Sequence, residues 1–322
     1  MKRTLGGIEV SALGMGCWAI GGPWQFGTLE AGWGEVDNTE SVRAIQAAID
    51  LGVNFFDTAA NYGAGHSEVI LGQAIAGQRS KMVLATKFGY GVFESDKRVF
   101  GIEVTPAAIR QSCVASLRRL QTDYIDLFQF HVGDYPSEKI SEVLVTLEAL
   151  QSEGMIRSYG WSTDDLARAK AFSVGQHNVA VQHQQNIFED NPAMLEFCQQ
   201  NNLASINRGP LAMGLLSGKY ASGANFSSTD VRSTGQAWIK YFPNGQPNAD
   251  WAARLEAMHE ILTSNGRTLA QGALAWLWAR SPNTIPIPGF RTVAQVQSNA
   301  KALEFGALDK AQMQQIEQIL RR

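Results

Sequence analysis

The stretch "NFFDTAANYGAGHSE", Asn54 to Glu68, decides the fold. Its two phenylalanines belong to a predicted strand, but the apolar run ends at Asp57 rather than in an ordinary turn. Tyr62 follows five residues later, in a predicted loop. Because the chemistry of a barrel of parallel strands lies where those strands end, the next question is whether neighbouring strands also end in ionisable residues.

Outward from this stretch, short runs rich in β-branched and aromatic residues alternate with amphipathic helical segments. Helix starts are recognisable at Asp37, with Glu40 at capping-box spacing, and at Thr105 before Pro106. The eight predicted strands are "LGMGCW", "VNFFD", "KMVLATK", "DYIDLFQFH", "IRSYGWS", "VAVQHQ", "LASINR" and "NTIPIPG". Eight strand-helix units over about 250 residues, without a break in composition, predict an α/β fold of the (β/α)8 TIM barrel type. We expect one domain that spans residues 1–322.

Two segments extend beyond a bare barrel. The start, "RTLGGIEVSAL", predicts an N-terminal β-hairpin around Gly6 and Gly7 that closes the lower end of the barrel. The stretch 217–250 is too long and polar for a structural turn, and long loops at the C-terminal face are usually functional. Its Trp238, Tyr241 and Phe242 are typical of a lid or of ordinary packing onto the barrel, and both interpretations stay open.

A doubly wound dinucleotide-binding sheet is the main alternative. Gly14, Gly16 and Ala19 match the pattern G-x-G-x-x-A after an apolar strand. That pattern must open a helix, but Gly22 and Pro23 follow directly and would break one. The barrel is therefore the favoured fold.

Composition limits the classes of partner. The net charge is −3 with acids and bases interspersed, which favours neither nucleic acid nor a membrane surface as a partner. No apolar run reaches membrane-spanning length, and no signal peptide is visible. Cys17, Cys113 and Cys198 are scattered without CxxC spacing, which predicts a cytoplasmic protein with no disulfide framework and no metal site. The oligomeric state is left open.

Three consecutive predicted strands end in ionisable residues, namely Asp57, Lys87 and His131. A tyrosine has an ordinary pKa of about 10, so Tyr62 needs a nearby cation to act as an acid at neutral pH. Lys87 supplies that cation, and Asp57 would keep Lys87 charged. Such a site can protonate an oxygen on which charge develops when hydride attacks a carbonyl, and a nicotinamide must then supply the hydride. A Schiff-base lysine of the aldolase type is the second interpretation.

Phosphate-binding features follow the last two strands. Arg208 and Lys219 flank a glycine-containing segment after the seventh strand, and Gly289 and Arg291 precede a predicted helix after the eighth. Thr292 and Gln295 have capping-box spacing, so this helix start also has a purely structural interpretation.

The motifs "DTAANYG", "LATKFG", "DLFQFH", "GWS", "VQHQQN", "GPLAMGLLSGKY" and "PIPGFRT" occur in an order that resembles the aldo-keto reductase superfamily. The likeness spans Arg3 to Leu303 and is greatest to bacterial members and to potassium-channel beta subunits. It implies a barrel that uses NADPH to reduce a small-molecule aldehyde or ketone, with Tyr62 as general acid. The likeness to channel subunits also leaves open a cofactor-binding sensor without turnover.

The same resemblance implies roles for individual residues. Lys87 and Asp57 would tune the tyrosine, and His131 would orient the carbonyl. The implied cofactor-binding residues are Trp18, Ser162, Gln182, Arg208, Gly209, Leu211, Ser217, Lys219, Gly289, Arg291, Gln295 and Asn299. The expected substrate-pocket residues are Trp18, Trp24, Phe88 and Tyr90. Arg291 favours NADP over NAD, and Arg208 stands where the family usually has an aromatic residue.

Overall fold

A computed structural model describes residues 1–220 and 223–321. The predicted (β/α)8 barrel is confirmed, and its eight parallel strands are hydrogen-bonded to one another in chain order. They are β1 (Met15–Gly16), β2 (Phe55–Asp57), β3 (Val83–Phe88), β4 (Ile125–Phe130), β5 (Ile156–Ser162), β6 (Asn178–Gln184), β7 (Ala204–Arg208) and β8 (Thr284–Pro286).

The barrel closes between β1 and the segment after β8. Gly14 N donates to Pro286 O and Gly16 N donates to Pro288 O, both at 3.0 Å. A Cβ atom on Gly16 would lie 2.6 Å from the carbonyl oxygen of Ile287, so only glycine allows the two backbones to approach this closely. The glycines that resembled a dinucleotide motif therefore form the seam of a barrel.

Eight helices alternate with the barrel strands. They are α1 (Asn38–Asp50), α2 (His66–Ala74), α3 (Pro106–Leu120), α4 (Ile140–Ser152), α5 (Leu166–Phe172), α6 (Pro192–Gln200), α7 (Leu269–Arg280) and α8 (Val293–Phe305). In the described part of the chain, further α-helices span Ala249–Ala257 and His259–Thr263 before α7, and Lys310–Leu320 after α8. The predicted starts are confirmed, because the side chains of Asp37 and Thr105 accept backbone N–H groups of α1 and α3. Among the described residues no helix is long and apolar enough to cross a membrane.

The hydrophobic residues form two main layers. Alternate strand residues such as Phe55, Leu127 and Ile206 fill the barrel interior, while their neighbours pack under the helices. The predicted hairpin is confirmed as antiparallel strands Lys2–Leu5 and Ile8–Ser11, whose Leu5 and Val10 are fully buried among the interior residues. The hairpin thus closes the end of the barrel opposite the carboxyl ends of the strands.

A small four-stranded sheet that the sequence did not predict stands beside the barrel. It consists of Gln25–Phe26, Leu29–Glu30, Tyr90–Phe93 and Arg98–Ile102. The sheet joins the segments that follow β1 and β3, so it brings Trp24 and Tyr90 to the carboxyl ends of the strands.

In the long segment 217–250, some aromatic residues pack onto the barrel and another covers its C-terminal face, so each of the two interpretations holds for part of the segment. Tyr241 and Phe242 are buried in the core, which is ordinary packing. Trp238 remains half exposed and stacks on Trp18, with ring centroids 6.3 Å apart. The loop therefore covers part of the C-terminal face with one aromatic side chain.

Candidate active site

Lys87 lies at the centre of the predicted catalytic group and is fully buried. Its Nζ donates to Asp57 Oδ1 at 2.5 Å, to the carbonyl oxygen of Thr58 at 2.8 Å and to Tyr62 Oη at 3.3 Å. All three ammonium hydrogens are therefore used. Since the lysine donates to the phenol oxygen, the phenol O–H is free to donate elsewhere.

Asp57 is held on its other side by two amides. Gln129 Nε2 and Gln182 Nε2 each donate to Asp57 Oδ2 at 2.8 Å. Gln182 is expected to bind a carboxamide, but its amide nitrogen already serves this carboxylate. Gln129 was missed by sequence reasoning, although period-2 alternation along β4 places it on the same face as Leu127 and His131.

The protonation states follow from burial and from this ion pair. Burial alone would lower the pKa of Lys87, but Asp57 and Tyr62 outweigh it and the pKa is raised. Burial raises the pKa of Tyr62, and the lowering influence of Lys87 is too small to reverse that shift. The expected direction of the lysine's effect on the tyrosine is right, but the net shift is upward. Lys87 is therefore a cation and Tyr62 a neutral phenol at neutral pH.

A buried ammonium with three hydrogen bonds and a raised pKa is a poor nucleophile. Schiff-base chemistry requires a lysine that loses its proton and reaches a carbonyl carbon. The geometry of Lys87 therefore disfavours the aldolase interpretation.

His131 follows β4 and faces Tyr62 edge-on, with 5.8 Å between the ring centroids. Its Nδ1 lies 3.0 Å from Oδ1 of Asn61, a buried residue that sequence reasoning also missed. Burial, with the charges of Lys87 and Arg208, holds the pKa of His131 well below its ordinary value. The imidazole is therefore neutral at physiological pH.

Aromatic rings form the walls around Tyr62. Trp18 stacks on Tyr62 with centroids 5.9 Å apart, and Trp24 packs against Tyr62 and Tyr90. Phe88 does not reach this space: it is buried against Phe128 and Phe130 on the helix side of the sheet. The expectation for Phe88 is wrong, because the inward direction of Lys87 turns the next strand residue outward.

Arg208 ends β7 and is held in place by two partners. Its Nη2 donates to Asp164 Oδ2 at 2.5 Å and its Nη1 donates to Gln184 Oε1 at 2.9 Å. Asp164 also accepts the backbone N–H of Gln184 through Oδ1 at 2.7 Å. The guanidinium charge reaches the pocket, since it lowers the pKa values of Tyr62 and His131.

Two expected cofactor contacts carry unused polar atoms. Ser162 and Asn299 are only 5% and 4% exposed, and within the described chain neither side chain makes a hydrogen bond. Lys219 and Arg291 line one cavity of about 580 Å³ together with residues of the long loop. The positive charges of Lys219 and Arg291 suit a ligand that carries phosphate.

The remaining expected cofactor contacts lie at the same end of the barrel. Gly209 has a φ of +62°, and a Cβ there would strike the amide of Gln184. Leu211 directly precedes the 3-10 helix Ala212–Ser217, which ends at Ser217. Gly289 pairs with Gly16, and Gln295 accepts the backbone N–H of Arg291 at 2.7 Å. Thr292 caps α8 through Gln295 N, so the structural interpretation of this helix start is also right.

The described ranges 1–220 and 223–321 contain no group of three or more residues that could hold a metal ion. The three cysteines are free and buried, at separate places in the fold.

Asp57 ends β2, Lys87 lies in β3 and Tyr62 lies in the loop after β2, so the three side chains meet at the carboxyl ends of neighbouring strands. The Aldo/keto reductase family model matches residues 12–321, and the chain belongs to this family. The Bacillus subtilis Aldo-keto reductase YhdN is 31% identical over 296 residues, covering 91% of this chain and 85% of that relative.

Solved structures are similar along the whole chain. The glycerol dehydrogenase AKR11B4 from Gluconobacter oxydans has a TM-score of 0.83 and 31% identity, covering 100% of this chain and 95% of that one. An aldo/keto reductase from Klebsiella pneumoniae, in complex with NADP and acetate, has a TM-score of 0.72 and 27% identity, covering 99% and 94%.

Proposed function

We propose that the protein reduces an aldehyde or ketone to an alcohol with NADPH, and that Tyr62 is the general acid. The observation that carries this proposal is the Lys87 ammonium, which bridges the carboxylate of Asp57 and the phenol oxygen of Tyr62. When bound, NADPH supplies the hydride. Tyr62 donates its proton to the carbonyl oxygen, and Lys87 stabilises the tyrosinate that this transfer leaves.

The other residues support this proton transfer. Asp57, fixed by Gln129 and Gln182, keeps Lys87 charged although both members of the ion pair are buried. The neutral ring of His131 assists through a hydrogen bond to the substrate. The walls formed by Trp18, Trp24 and Tyr90 suit the apolar part of a small carbonyl compound.

The cofactor would lie along the carboxyl ends of β5 to β8. Ser162 and Gln182 would take the carboxamide, Gly209, Leu211, Ser217 and Lys219 would line the pyrophosphate, and Gly289, Arg291, Gln295 and Asn299 would hold the adenosine end. The unused polar atoms of Ser162 and Asn299 support this assignment. Arg208 and Trp18 would border the nicotinamide, and Arg291 favours NADP over NAD.

The decisive test is Tyr62→Phe, assayed as aldehyde-dependent oxidation of NADPH. We expect turnover to fall at least 100-fold, because general acid catalysis contributes about that much or more. Quenching of tryptophan fluorescence by NADPH should be retained, which would show an intact fold and cofactor site. The matched control is Tyr124→Phe, near Arg79 and before β4, which should not change turnover.

The outcomes separate the competing interpretations. Unchanged turnover in Tyr62→Phe would contradict the mechanism. Tight NADPH binding by the unmodified protein, without turnover on any aldehyde, ketone or glycerol in a broad panel, would identify a cofactor sensor instead.

A further inference from the structure

The phenol of Tyr241 joins the long segment 217–250 to the end of β6. Tyr241 is 4% exposed, and its hydroxyl oxygen accepts from Gln184 Nε2 at 2.6 Å and from Asn186 Nδ2 at 2.7 Å. The hydroxyl itself donates to a carboxylate oxygen of Glu189. The phenol therefore uses its donor and both of its acceptor positions, and all three partners lie at the end of β6 or in the loop that follows it.

The orientation of both amides is fixed by partners that can act in only one way. Gln184 Oε1 lies 2.9 Å from the guanidinium of Arg208, which only donates hydrogen bonds. Asn186 Oδ1 accepts the backbone N–H groups of two residues that follow it, and its Nδ2 donates to the carbonyl oxygen of Gly209 at 3.0 Å. The NH2 group of each amide therefore faces the phenol of Tyr241.

Through these amides the phenol holds the segment that ends β7. Gln184 connects it to the guanidinium of Arg208, and Asn186 connects it to the backbone of Gly209. Gly209 has a φ of +62°, and a Cβ atom there would lie 2.5 Å from the amide of Gln184, so backbone and amide are in direct contact. Arg208 also pairs with Asp164, but that side chain is 54% exposed, so solvent weakens the pair.

We propose that Tyr241 is a positioning residue, which holds Arg208 and Gly209 where they border the nicotinamide and the pyrophosphate of NADPH. The proposal rests on the function proposed above, because these two cofactor contacts belong to it. Removing the hydroxyl would release both amides, while the ring would stay packed on Trp251, with centroids 4.8 Å apart. NADPH binding should therefore weaken although the core packing of the long segment is kept.

The first test follows hydrogen exchange of the free protein by mass spectrometry in Tyr241→Phe. The backbone N–H of Ala212 donates to Gly209 O at 3.0 Å, and that of Gln185 donates to Arg208 O at 3.2 Å. Exchange at these two amides therefore reports on the held segment. We expect it to become about three- to tenfold faster in the variant, as for the loss of one hydrogen bond.

Tyr159→Phe is the comparison variant. Tyr159 in β5 is fully buried, packs against Phe172 and donates its phenol hydrogen to Glu148 on α4. Both variants thus lose a buried phenol bonded to a glutamate and keep the ring, so a general loss of stability would affect them alike. We expect exchange at Ala212 and Gln185 to stay unchanged in Tyr159→Phe.

The second test measures the dissociation constant of NADPH by quenching of tryptophan fluorescence. We expect Tyr241→Phe to raise this constant about three- to tenfold and Tyr159→Phe to leave it unchanged. When Arg208→Met is already present, Tyr241→Phe should have a smaller effect, because part of its influence passes through Arg208.

Unchanged exchange at Ala212 and Gln185 in Tyr241→Phe would overturn the proposal. Equal losses of NADPH affinity in the two tyrosine variants, or full additivity with Arg208→Met, would also overturn it. A protein that binds no NADPH would contradict the proposed function, and the exchange measurement on the free protein would still test the positioning contact.

Should Tyr241→Phe fail to fold, Glu189→Gln takes its place, because it keeps an oxygen that accepts from the phenol and removes only the charge. We expect a smaller increase in exchange at the same two amides, and no increase would overturn the proposal.

Discussion

The buried ion pair of Asp57 and Lys87 predicts a large and coupled effect on stability. Both side chains are at most 2% exposed, and Asp57 also accepts from two glutamine amides. Asp57→Asn leaves the ammonium buried without a counter-charge. It also places an amide NH2 group, which cannot accept a hydrogen bond, against either the Lys87 ammonium or the two glutamine donors. We therefore expect Asp57→Asn to lower the free energy of unfolding by about 3–5 kcal/mol.

Lys87→Met should cost a similar amount, since it leaves the carboxylate buried and unpaired. The double variant removes both charges, so it should cost at least about 2 kcal/mol less than the sum of the single variants. Urea unfolding at pH 7, followed by circular dichroism and tryptophan fluorescence, measures all three. Coincident transitions in the two signals would justify a two-state treatment.

The control is the exposed ion pair of Arg110 and Glu153, whose side chains are 43% and 45% exposed. Solvent screens this pair, so Glu153→Gln should cost much less than Asp57→Asn. The reasoning would be refuted if Asp57→Asn cost no more than Glu153→Gln, or if the double variant of the buried pair cost the full sum.

Two further predictions concern cofactor choice and acid stability. Arg291→Ala should weaken NADPH binding by about 10- to 100-fold while leaving NADH binding unchanged, because one charged contact to the extra phosphate is lost. Fluorescence titration measures the dissociation constants of both cofactors. An equal loss of affinity for NADPH and NADH would contradict the assignment of Arg291 to the extra phosphate. Burial alone would raise the pKa of Glu148, but hydrogen bonds from Tyr159 and His177 outweigh it and the pKa is lowered. This stabilisation is present above the unfolded pKa of about 4.3 and is lost as the pH falls through the lower folded value. Glu148→Gln should therefore cost about 1 kcal/mol at pH 7, and a melting-temperature deficit that persists at pH 3 would argue against it.

The strands of the barrel were predictable because their signals are local. Each is a short apolar run between a helix end and a helix start, as at Asp37 and Thr105. The four-stranded sheet was not predictable in the same way. Its pairing of Gln25 with Arg98 joins positions far apart in the chain, and neither partner strand carries enough apolar alternation to reveal it.

The site was predictable to the extent that its residues end strands. Asp57, Lys87 and His131 stand out as ionisable groups after apolar runs. Gln129 lies inside such a run, and only its alternation with Leu127 marks it as facing the barrel interior. The same rule, applied to Phe88, would have placed that ring on the helix side.

Which side chains form hydrogen bonds across neighbouring strands depends on the register of the strand pairing, and the sequence alone does not reveal that register. Arg208 reaches Gln184 because β6 and β7 place the two residues side by side, and Asp164 joins them from the loop after β5.

Glu68, the last residue of the stretch Asn54 to Glu68, also depends on partners from other elements. It is fully buried and accepts from Thr86 Oγ1 and Arg119 Nε at 2.5 and 2.6 Å. A buried carboxylate without those donors would be costly, so the conformation of this stretch depends on β3 and α3, which lie later in the chain.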